Sequence, residues 1–143
     1  MRAIDPEKVL ADFIGGRLDP REFPHREHVR VSYELLRRHS FPEALLHLAQ
    51  GLRQLAAKAG HPEAYHETIT AAFLSLIGER QSKTDYADFD QFAQENPDLM
   101  QKDLLSQFYP AAVLKSRIAR ETFVLPRWQV ASAVKHTVPA SQA

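Results

Sequence analysis

A recurrent punctuation constrains this chain more than its composition does: a capping residue, then proline, then glutamate. Asp5-Pro6-Glu7 has it directly, Ser40-Phe41-Pro42-Glu43 carries it inside a Ser-x-x-Glu capping box, and His61-Pro62-Glu63 repeats it. The cap satisfies orphan backbone N–H groups, proline needs no N–H in a first turn, and an acid there suits the helix dipole. Each start leads into apolar residues at helical spacing. Val9, Leu10, Phe13 and Ile14 follow the first, and Leu45, Leu48, Leu52 and Leu55 follow the second. Tyr65, Ile69, Phe73, Leu76 and Ile77 follow the third. Gly15-Gly16 and Gly60 supply stops.

Between the first two starts, residues 17–24 read as a loop with Phe23 tucked inward, and a helix is expected from about His25 to Arg38. Beyond Arg80 a polar link leads to a short helix over Tyr86, Phe89 and Phe92, broken at Asn96-Pro97. Asn96-Pro97 caps a further helix through Leu99, Met100, Leu104 and Phe108. Pro110 to about Arg120 makes a last helix, and Phe123-Val124-Leu125-Pro126 with Trp128 reads as an extended tail on the body. No stretch joins alternating polarity to β-branched enrichment and turn residues, so strands are not expected. The fold class is all-α: one domain over residues 1–143, an irregular bundle of six or seven short helices with an extended C-terminal tail. Residues 1–4 and 138–143 have little to bury and are expected to be disordered.

Composition removes whole classes of function. Eighteen Lys plus Arg balance eighteen Asp plus Glu, and no dense basic run occurs, so nucleic acid is not an expected partner. With no cysteine there are no disulfides, thiolate metal sites or thiol nucleophiles. The N-terminal residues lack the apolar core of a signal peptide, and nothing approaches the roughly 20 apolar residues of a membrane span. A soluble, cytoplasmic protein without membrane partners is the expectation, and a homo-oligomer is compatible with it. Glycine-rich phosphate loops, dinucleotide fingerprints and Gly-x-Ser-x-Gly elbows are all missing.

The histidines stand out instead. At about 100° per residue, Val29, Leu35 and Leu36 define the inward side of the second helix, and His25, His28, Ser32 and His39 fall on that side. On the fourth helix His66 lies between Phe73 and Ile77, with Thr70 beside it. Burying a polar group costs a few kcal/mol unless it is partnered, so two helices with inward histidines need a reason. His25 and His28 are helix-face neighbours, and His66 would complete three nitrogen ligands with an open fourth position. One divalent metal such as zinc or iron suits that pattern. Without metal, His28, His66 and Thr70 are the candidate catalytic groups for general acid–base work. Glu63-Ala-Tyr-His66 has the Glu-x-x-His spacing of di-iron bundles, but the further helical glutamates such a core needs are not evident.

Each residue also has a bland reading. His25 follows Pro24 and serves as a helix-start residue, Ser32 bonds back to a carbonyl, and Tyr33 is a core aromatic. Glu67 and His47 point to solvent. Arg30, Arg37, Arg38, Arg80, Arg117 and Arg120 form a solvated surface, with Arg80 at a helix end placed to meet an anionic substrate. The leading expectation is a histidine-lined pocket that binds or acts on a small molecule. The rival is an interaction module or ligand-sensing subunit whose histidines are structural and whose tail around Trp128 docks a partner.

Phe23-x-His25-x-x-His28-Val29-Arg30, Tyr65-His66-Glu67-Thr68-Ile69-Thr70 and Phe123-Val124-Leu125-Pro126 together resemble a family of small, uncharacterised bacterial helical proteins, over about Phe13 to Trp128. The resemblance implies that these three stretches belong to one fold. It carries no activity or cofactor with it.

Overall fold

The computed structural model describes residues 4–126. The expectations for Trp128, and for disorder in residues 1–3 and 138–143, lie outside the described residues. Within them the chain is all-α, with no strand. No described helix is long and apolar enough to cross a membrane.

The first helices begin where the capping chemistry places them. Asp5 accepts the Glu7 N–H ahead of α1 (Pro6–Ile14). Helix α2 (His25–Arg38) starts directly after Pro24. Ser40 and Glu43 complete a reciprocal capping box on α3 (Phe41–Lys58). The third proline start behaves differently. Pro62–Ala64 is only a 3-10 turn, Tyr65 is extended, and α4 (Glu67–Lys83) begins afterwards with His66 as its N-cap. His66 is therefore not a face residue of a helix opened at His61, and α4 runs on into the expected polar link as far as Lys83.

The later part is more broken than its spacing predicts. After α5 (Phe89–Glu95), the helix expected beyond Pro97 is two 3-10 turns, Pro97–Met100 and Leu104–Gln107. The helix expected from Pro110 is divided at Ser116 into α6 (Ala111–Leu114) and α7 (Arg117–Glu121), because the Ser116 hydroxyl caps α7 by accepting the Ala119 N–H. These are short elements, held by tertiary packing more than by propensity.

Helices α2 and α4 are the centre of the molecule, packed on each other and both on α3. They are apolar on more than one side. Val29 and Tyr33 of α2 join Phe73 and Ile77 of α4 in one cluster with Phe92 and Leu99. Val31 and Leu35 join Leu74 in a second cluster with Leu10, Phe13 and Leu48. A helix buried on two sides also carries its charges inward. Arg30 is buried beside Phe89, its guanidinium 4.6 Å from that ring and paired with Glu27 at 2.8 Å. Glu34 is 3% exposed and paired with Arg38, which also reaches Glu7 on α1. Arg30 is therefore structural and not part of a solvated face, while Arg38 stays exposed and ties α2 to α1. Arg80 likewise clamps Asp98 and the Asn96 side chain at the turn after α5, so it does not stand free for a substrate.

Candidate functional site

The N-terminal parts of α2 and α4, the segments that precede them and one face of α3 line a cleft. It has two lobes. The first, about 340 Å³, has His28, Leu52, Leu55, Tyr65, His66 and Thr70 in its walls. The second, about 330 Å³, has His25, His28, Ser32, Phe73, Ile77 and Lys102. Phe23, His28, Leu52, Ile69 and Thr70 line both, so they form a common wall. Each lobe is at the small end of the range for small-molecule sites.

The expected catalytic residues His28, His66 and Thr70 do meet, in the first lobe, but in different chemical states. His66, 8% exposed, accepts the Ile69 N–H at Nδ1 (3.1 Å), so the ring proton sits on Nε2 and is donated to the Leu114 carbonyl at 2.7 Å. Both nitrogens are committed to holding the start of α4 and docking α6 on it. Thr70 donates its hydroxyl proton to the His66 carbonyl at 2.8 Å, and Ser32 donates to the His28 carbonyl at 2.8 Å. Each hydroxyl keeps only acceptor lone pairs for a ligand. His66→Ala is accordingly expected to lower stability by about 2 kcal/mol, since it removes the cap and leaves the half-buried Leu114 carbonyl unpaired. His66→Asn, which can still cap, should recover part of that. Urea denaturation of both variants is the check, and a loss below about 0.5 kcal/mol for His66→Ala would refute the structural role.

His25 donates Nε2–H to the Leu99 carbonyl at 2.9 Å and presents its ring to Phe73, 5.0 Å between centroids. Its Nδ1 is left as an acceptor, and burial pushes its pKa below the usual value. Among the described residues His28 has no such bond of ordinary geometry. Its ring packs against Phe23 in a tilted pair at 4.7 Å and lies 6.3 Å from that of His25. Burial, with some repulsion from His25, lowers its pKa to about 4 against the weak opposing pull of the Phe23 carbonyl. At neutral pH it is an uncharged imidazole facing both lobes.

The expected three-histidine metal site does not form around these atoms. Among the described residues no group of three or more His, Asp or Glu side chains is placed to hold a metal, and His66 has no nitrogen to give. Glu63 lies exposed beside His61, 3.4 Å away, not turned inward with His66. Tyr33 is core, as its spacing allows, and Glu67 faces Arg53 at 3.6 Å. His47 is not simply solvated, for its ring packs against His39 at 4.8 Å.

One site residue escapes the sequence, and another carries more than its apolar spacing shows. Tyr65 has a buried hydroxyl with no hydrogen-bond partner among the described residues, and its burial raises the pKa to about 12, so it stays protonated. Lys102 stands in the lining of the second lobe from an irregular segment, where no periodicity points to it. A deeper link explains why the site stretch and the tail sequence keep company. Thr68, fully buried, donates to the Thr122 carbonyl at 2.7 Å and accepts the Val124 N–H at 3.0 Å. Tyr109 adds a bond to the Val124 carbonyl at 2.7 Å, so the extended tail is pinned through its main chain while Leu125 points outward. Comparison with protein-family models, curated proteins and solved structures finds no match for this chain.

Proposed function

We propose that the protein binds a small, predominantly apolar molecule in the cleft between α2, α3 and α4, and that His28 is the group meeting its polar atom. One observation carries this reading: of the three inward histidines, His28 alone stands in the wall common to both lobes without an ordinary hydrogen bond among the described residues. A neutral imidazole offers one donor and one acceptor. In an apolar cavity, a few such groups fix a ligand's orientation while the walls supply affinity. The same ring, deprotonated across the neutral range, is a proton acceptor for the bound molecule. A metal has no part in this reading.

Indole, an uncharged aromatic of suitable size, is a direct probe. Its titration should shift the His28 ring and the Ile69 and Thr70 amide resonances saturably. Ile69→Trp places an indole ring of the protein's own into the common wall and should abolish the response with the helical circular dichroism retained. Shifts that stay linear in indole, or that survive Ile69→Trp, would sink the reading.

A further inference from the structure

The second lobe is chemically one-sided. Its depth is apolar, from Val29 and Leu48 to Phe73 and Ile77. Among the described residues no carboxylate lines either lobe. Of its other polar groups, Ser32 and Thr70 donate to main-chain carbonyls, His25 donates to Leu99, and His28 is the uncharged imidazole of the wall common to both lobes. What remains is Lys102, an exposed ammonium in the lining, with no ion pair or hydrogen bond among the described residues. It lies near enough to His25 and His28 that its charge opposes protonation of both. A lone cation over an apolar recess repels cationic ligands and gives an anion a partner that water otherwise supplies.

We propose that the second lobe takes a small monocarboxylate with an apolar tail, the tail lying between Val29, Leu48, Phe73 and Ile77 and the carboxylate held at the mouth by Lys102. This rests on the reading of the cleft as a ligand site and adds the charge of the ligand to it. A volume of about 330 Å³ admits a chain or ring of metabolite size, not a long lipid tail. The hydrophobic walls set affinity for the tail regardless of the head. The ammonium discriminates between heads, since it makes a charge-assisted bond with a carboxylate and none with an ammonium.

Octanoate, 1-octanol and octylamine share a tail and differ only in the head, so calorimetric titration with all three isolates the charge. Octanoate should bind about tenfold more tightly than 1-octanol, the size of one charge-assisted hydrogen bond at a partly solvated site. Octylamine should bind more weakly than either. Lys102→Gln, a change at an exposed position, should bring octanoate down to the 1-octanol affinity and leave 1-octanol unchanged, while Lys102→Arg keeps the preference. Equal binding of acid and alcohol by the unsubstituted protein, or a preference that survives Lys102→Gln, overturns the carboxylate assignment and leaves the cleft a site for neutral ligands. Failure of all three to bind, in a protein that also ignores indole, overturns the ligand site itself.

Discussion

Lowering the pH from about 6.5 to about 4 is expected to cost the folded protein roughly 3 kcal/mol at His28, with the steepest slope near 1.4 kcal/mol per pH unit. The sign follows from where the proton goes. In the unfolded chain the imidazole protonates near its ordinary value, whereas in the fold burial holds its pKa at about 4. Between those values the unfolded state binds more protons, so stability rises with pH through this window and is complete above it. Below about 4 both states carry the proton and this contribution levels off. His25 pushes in the same direction, its pKa lowered by burial and by the charge of Lys102. Carboxylates held low by partners, such as Asp98 beside Arg80, act at more acidic pH and do not confuse the upper part of the window. Urea denaturation at pH 7, 6, 5 and 4.5 reads the slope. His28→Phe keeps a ring against Phe23 and should flatten most of it, leaving the part due to His25. Parallel pH profiles for the two proteins would show that His28 is not the buried base described here.

The elements written in local chemistry were legible, and those written in tertiary contacts were not. Asp5 and the Ser40–Glu43 box place α1 and α3 because a cap and its orphan N–H are within a few residues of each other. His61-Pro62-Glu63 looks alike, but His61 makes no side-chain cap, and the competing cap at His66 is completed by Leu114, far along the chain. A wheel drawn from His61 therefore made His66 a free face residue when its ring was already engaged at both ends. His28 could be found because its helix does run as its spacing says, so its inward direction was correctly given by periodicity. Arg30 reads as solvated for the opposite reason: a single apolar stripe leaves charges outside, and α2 is buried on two sides. The adjacent Val29 and Val31, which point to different clusters, are the signal that could have exposed this. Lys102 had no local signal. It reaches the cleft only because two 3-10 turns replace the regular helix its neighbours suggest.

Gly51→Val is expected to destabilise the fold by about 3 kcal/mol and to disturb the cleft from outside it. Glycine inside a helix is ordinarily a weakness, and replacing it by alanine gains up to about 1 kcal/mol of propensity. Here the space is already taken. A Cβ at Gly51 would stand 2.2 Å from the Phe13 ring, and that ring is 1% exposed. Phe13 has little room in which to retreat, because it stacks on Phe23 at 5.6 Å and Phe23 packs against His28 at 4.7 Å. Alanine at 51 should thus be net destabilising despite its propensity, and valine more so. Shortening the obstructing side chain tests the cause: Phe13→Leu should recover much of the loss of Gly51→Ala in a double-mutant cycle, where unrelated sites would simply add. The chain of rings also joins packing to the site. If Gly51→Val displaces Phe23, the His28 ring loses a packing partner and becomes more open to water. Its pKa, read by proton resonance, should then rise from about 4 toward the ordinary histidine value. An unmoved His28 titration in a destabilised Gly51→Val protein would confine the clash to α1 and α3 and free the cleft from it.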